Sequence, residues 1–110
     1  MRKTSKICGP LISLLACCFA AAALQAETVH KTYFENTDYE LHVYEILGYE
    51  PGPTMMIIGG IQGDEPGGYL AADSYADISL KKGSLIVVPR ANFYAILLNQ
   101  RGPNGDMNRK

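Results

Sequence analysis

The chain has 110 residues and a formal charge of −1, enough for one small domain and without the basic excess a nucleic-acid partner calls for. Its three cysteines, Cys8, Cys17 and Cys18, all precede Glu27, so nothing beyond that point can form a disulfide framework or a thiolate zinc site. From Glu27 onward seven basic residues face eleven acidic ones, a formal charge of about −4 over 84 residues, and a part of that size buries only a marginal core unaided.

Residues 1–26 read as an export signal. Arg2, Lys3 and Lys6 form a basic start, Leu11 to Leu24 an apolar stretch, and Leu24-Gln25-Ala26 places a small residue before a cleavage point. This 14-residue stretch falls short of the roughly 20 apolar residues that a membrane-spanning helix needs, so removal is expected, with a secreted or periplasmic product that meets the membrane only through this segment. An uncleaved anchor is one alternative; a lipoprotein is another, since Leu14-Leu15-Ala16-Cys17 has the outline of a lipidation box.

Glu27 to Phe34 is rich in Thr, Val, Tyr and Phe, and Tyr39, Leu41 and Val43 recur at period two. Glu35-Asn36-Thr37-Asp38 lies between the two runs, which predicts an antiparallel hairpin. The "GYEPGP" stretch is expected to break the pairing, and Thr54 to Ile58 then forms a short apolar strand buried on both faces.

After "GGIQGDEPGG", residues 59–68, the residues Leu70, Ala71, Ser74, Tyr75 and Ile78 recur at helical spacing. Pro66 suits the first turn, and Lys81-Lys82-Gly83 suits the exit. Ser84 to Val88, "SLIVV", is a second buried strand, so strand, helix and strand succeed one another in lengths that suit a right-handed parallel crossover. The fold class is α/β. Beyond Pro89, "RANFYAILLNQ" has mixed periodicity and fits no single element, while "RGPNGDMNRK" is turn-forming and basic. The chain stops in that polar loop without a closing element, which reads as the front of a longer protein.

In open α/β sheets ligands gather at the carboxyl ends of strands, and residues 59–68 sit at such an end. Gln62 and Glu65, three apart at a helix start, can turn two side chains toward one point and offer oxygen to a zinc ion. The same residues suit a turn in which Asp64 or Glu65 caps the helix and complements its dipole. A phosphate loop is disfavoured: G-x-G-x-x-G is absent and two acids repel phosphate. In the far loop, Arg101, Asn108 and Arg109 can grip a carboxylate through charge-assisted bonds, or form a solvated basic loop. His30 and His42 fall in the hairpin and read as strand histidines without a catalytic part.

Together these stretches resemble the zinc metallocarboxypeptidases and the related succinylglutamate desuccinylases and aspartoacylases, whose signature is H-x-x-E within "GGxHGdEpxG". Here the stretch is "GGIQGDEPGG". Glu65 matches the zinc-ligand glutamate, and Gln62 stands where the first histidine normally does, a substitution similar to that of the peptidoglycan carboxypeptidases that control helical cell shape. "RGPNGDMNR" resembles the Arg-x6-Asn-Arg arrangement: Arg101 matches the arginine that polarises the scissile carbonyl, and Asn108 and Arg109 match the pair that binds the substrate's terminal carboxylate.

The resemblance implies a zinc-carboxypeptidase-like mixed sheet with flanking helices, of which 27–110 is the N-terminal part. It further implies Zn2+ as cofactor, Gln62 and Glu65 as metal ligands, and a third ligand and a general base beyond Lys110. The implied partner is a peptidoglycan stem peptide, or another peptide with a free terminal carboxylate. Two other functions share these residues: a zinc amidohydrolase acting on N-acyl amino acids, and a metal-free peptide-binding relative in which Gln62 has emptied the site.

Overall fold

The computed structural model describes residues 26–109. Apart from Ala26, the expected export signal lies outside the described residues, and among those described no helix is long and apolar enough to cross a membrane.

Strands β1 (Glu27–Tyr33) and β2 (Leu41–Leu47) form the predicted hairpin, with Glu27 opposite Leu47 and Tyr33 opposite Leu41. Its loop is built locally. Phe34 and Asn36 adopt positive φ of 53° and 62°, the Thr37 hydroxyl donates to the Phe34 carbonyl at 2.7 Å, and the Asn36 N–H donates to Glu40 Oε2 at 2.9 Å. Short polar side chains that bond the backbone make such a turn. Glu40 is thereby held below the usual carboxylate range, first by the Asn36 N–H and then by His42.

Strand β3 (Glu50–Ile58), helix α1 (Pro66–Asp73) and strand β4 (Lys82–Val88) make the parallel crossover. Helix α2 (Phe93–Leu98) and a short 3-10 turn, Met107–Arg109, come next. The sheet order is β1-β2-β4-β3, with β2 antiparallel to β4, so the sheet is mixed. Its core lies on one face, where Ile46, Leu85 and Val87 are packed by Tyr44, Ile57, Ile78 and Leu80. Burying each such aliphatic side chain contributes roughly 1.5–3 kcal/mol.

Three expectations are corrected. The hairpin pairing does end before "GYEPGP", at Leu47, but the next strand, β3, starts inside that stretch at Glu50 and not at Thr54. Its register slips between Glu50 and Thr54, around Pro51 and Pro53, which have no N–H to donate; an edge strand tolerates this. Nor is β3 buried on both faces. Among the described residues it is the margin of the sheet, with Met55, Met56 and Ile58 more than half exposed, and β4 is the inner strand. An apolar run marks a parallel strand but does not rank two such strands by depth.

Lastly, the helix stops at Asp73 instead of continuing to Lys81. The Ser74 hydroxyl donates back to the Ala71 carbonyl at 2.7 Å, and Tyr75 and Ala76 close tighter three-residue turns onto Ala72 and Asp73. Ser commonly competes with the helix in this way. Ile78 and Leu80 therefore reach the core from irregular backbone.

The unassigned stretch after Pro89 contains α2, whose six residues are too few to display a period. Asn92 caps its start by accepting the Ala95 N–H, and Asn99 ends it in the left-handed conformation at φ 51°.

Candidate active site

The parallel pair continues beyond its strands. The Gly59 N–H donates to the Val88 carbonyl, the Ala91 N–H to Gly59, and the Asn92 N–H to Gly60, each at 2.9 Å. The two chain segments that leave the carboxyl edge of the sheet are therefore fastened to each other, side by side.

Gly63 fixes the next step. Its N–H donates to the Gln100 carbonyl at 3.1 Å, and a Cβ at this position would lie 2.0 Å from the Ala95 carbonyl oxygen. Only glycine permits that approach, so the loop carrying Gln62 and Glu65 is clamped to the end of α2.

Gln62 is 5% exposed, yet it borders a cavity of about 200 Å³ shared with Glu65, Asn108 and the backbone of Gly59 and Gly60. Among the described residues no side-chain hydrogen bond engages the Gln62 amide. Glu65 stands immediately before α1 but makes no capping bond with its side chain. Its Oε1 accepts from Arg101 Nη1 at 3.1 Å instead, in an ion pair more than half open to solvent.

The structure thus gathers four of the five residues singled out from sequence: Gln62, Glu65 and Asn108 around one cavity, and Arg101 on Glu65. Arg109 is not brought there. Its Nε reaches Asp106 Oδ2 at 3.4 Å and its side chain is 81% exposed, because Asp106 organises the last turn by accepting the Asn108 N–H at 3.0 Å.

A cavity edged by one carboxylate and one unengaged amide oxygen fits two places in a zinc coordination sphere. Among the described residues no three His, Cys, Asp or Glu side chains cluster as a metal site.

His30 and His42 lie away from this cavity. His42 Nε2 bonds Glu40 Oε1 and its Nδ1 bonds His30 Nε2, both at 3.0 Å, and His30 stacks on Tyr44 with centroids 4.4 Å apart. Several residues outside the two motifs also hold the site together. Arg90 Nη2 donates to Asp73 Oδ2 at 2.6 Å beside the Tyr69 ring, tying the end of α1 to the exit of β4. Asp73 raises the Arg90 guanidinium above its ordinary value. Asn92 is 3% exposed and bonds Asn104 in the arginine loop at 3.0 Å. An asparagine directly before an apolar run was the available sign of this capping position.

A family model described as the catalytic region of carboxypeptidases controlling helical cell shape matches residues 28–110. No curated protein matches the chain. Among solved structures, the chain is similar to an aspartoacylase family protein from Mesorhizobium loti, at 25% identity and a TM-score of 0.61 over 76% of this chain. It is also similar to a succinylglutamate desuccinylase/aspartoacylase from Rhodobacter sphaeroides, at 26% identity and a TM-score of 0.57 over 77% of this chain. The product-bound ectoine utilization protein EutE (DoeB) from Ruegeria pomeroyi, at 24% identity and a TM-score of 0.60 over 76%, shares the fold. In each comparison the chain spans 29% of the other protein's length.

Proposed function

Because the chain belongs to the family of carboxypeptidases controlling helical cell shape, we propose that it carries the metal-binding and carboxylate-binding half of an exported zinc carboxypeptidase. The substrate is a peptidoglycan stem peptide, cut at its C-terminal bond. The observation that carries this reading is the convergence of Gln62, Glu65 and Asn108 on one cavity, with Arg101 bonded to its rim.

Gln62, through its amide oxygen, and Glu65 would hold the zinc ion, which when bound supplies Lewis acidity and an activated water. Exchanging an imidazole for an amide leaves the ligand charge unchanged but presents a weaker donor to this borderline ion. Arg101 shifts from Glu65 to the scissile carbonyl and donates to the oxyanion that develops there. Its pair with Glu65 is exposed, and pairs of that kind are worth about 0–1 kcal/mol, so the shift meets little resistance. Asn108 donates its amide N–H to the terminal carboxylate at the cavity's exposed side. Arg109 reaches that carboxylate by leaving Asp106, again an exposed contact.

The likeness to aspartoacylase and desuccinylase structures supports a second reading, hydrolysis of N-acyl amino acids. Incubating the whole protein with muropeptides and, separately, with N-acyl amino acids decides between them. Release of the terminal residue from muropeptides, abolished in Glu65→Ala, is the expected result. Turnover of N-acyl amino acids alone favours the second reading, and muropeptide cleavage that survives Glu65→Ala defeats the zinc mechanism.

A further inference from the structure

Asn92 is nearly buried, and its polar groups reach three parts of the site. Its backbone N–H donates to Gly60 at 2.9 Å, in the wall of the Gln62–Glu65 cavity. Its Oδ1 accepts the Ala95 N–H at 3.3 Å and starts α2, the helix against which Gly63 is clamped. Its Nδ2 donates to Asn104 Oδ1 at 3.0 Å, inside the arginine loop.

That last bond has no substitute. The other hydrogen bonds of residues 102–109 are internal to the loop: Gly105 to Gly102, Arg109 to Asp106, and Asn108 to Asp106. Among the described residues, the Asn92–Asn104 bond is the one hydrogen bond that joins residues 102–109 to the rest of the molecule. Buried amides are costly to leave without partners, so the pair holds Asn104, and with it Asn108 four residues on, at a fixed place.

We propose that Asn92 is a positioning residue for substrate binding: paired with Asn104, it sets where Asn108 meets the terminal carboxylate relative to Gln62 and Glu65. This rests on the carboxypeptidase reading.

The cap and the tie use different atoms, which makes them separable. Asn92→Asp keeps an N-cap oxygen, and the Asn104 amide can turn to donate to it. Asn104→Asp keeps the acceptor that Asn92 needs. The double variant Asn92→Asp/Asn104→Asp keeps the cap but sets two carboxylates against each other, so the tie is broken.

The experiment compares these variants in the zinc-loaded whole protein on a muropeptide with a free C-terminal carboxylate and on its C-terminal amide. For the double variant, KM for the carboxylate peptide rises about tenfold or more while kcat falls less than about threefold, the signature of lost uniform binding. Preference over the amide shrinks in parallel, and zinc content is unchanged. Each single variant stays closer to the wild type than the double does. An unchanged KM in the double variant overturns the proposal, and so does a joint fall of kcat and zinc content, which marks a merely structural role. A wild type that cuts neither peptide overturns the carboxypeptidase reading before any variant is made, and this inference with it.

Discussion

The β1–β2 hairpin and the site loops beyond β3 and β4 are held by opposite means. The hairpin closes on itself: its turn bonds, the Lys31–Glu45 pair at 2.8 Å and the Glu40–His42–His30 chain all lie within residues 27–47. The site closes across the sequence. Gly63 is fastened to Gln100, Glu65 to Arg101, and Asn92 to Gly60, each pair more than 30 residues apart. Local closure tolerates change, because neighbours in sequence cannot drift far apart. Distant closure concentrates the cost of a substitution at the few backbone positions where the segments touch.

Substitutions on the two sides sharpen that contrast. The largest effect is expected at Gly63→Ala, whose new methyl group would overlap the Ala95 carbonyl; overpacking against fixed backbone costs about 3 kcal/mol or more, read from the midpoint of urea unfolding. Gly67→Ala is the control. Nothing lies within 4 Å of a Cβ there, and alanine inside a helix is favoured over glycine by roughly 0.5–1 kcal/mol, so this variant is expected to be slightly more stable.

An intermediate effect is expected for Arg90→Met. Its partly exposed pair with Asp73 is of the class worth up to about 1 kcal/mol, and amide exchange should quicken in α1 while β1 and β2 keep their protection. Equal loss of protection in the hairpin would contradict the division into locally and distantly closed regions.

The smallest effect is expected at Glu40. Its carboxyl titrates below the ordinary value in the folded chain, so its contribution is present above the unfolded-state value and is lost as pH falls through the folded one. Acid should loosen the 34–40 turn in the wild type, seen as faster exchange of the Asn36 amide. Glu40→Gln should make that amide less sensitive to pH across the acidic range and leave the site loops unchanged.

The same contrast accounts for what could be read from the sequence. The hairpin was legible because its alternation and its Glu35–Asp38 turn lie side by side in the chain. The parallel crossover was legible from two apolar runs flanking a helical pattern, and the site from two motifs in the expected order. Contacts between distant residues were not: that β3 would lie outside β4 and that Gly63 would close on Gln100 depend on partners no local spacing encodes. The bond by which Ser74 ends α1 and the turn of Arg109 to Asp106 are three-residue contacts, but each is one of several partners the local sequence offers. Asn92 gave only the sign of a helix cap; its bond to Asn104 needed the folded chain.

The central claim is that Gln62 and Glu65 together hold one zinc ion. A competitive zinc titration of the whole protein, with Gln62→His, Gln62→Ala and Glu65→Ala beside the wild type, tests it most directly. One zinc per chain is expected, bound at least about tenfold more tightly in Gln62→His because imidazole is the better donor, more weakly in Gln62→Ala, and weakest in Glu65→Ala. No stoichiometric zinc in the wild type, or one affinity shared by all four proteins, would contradict it.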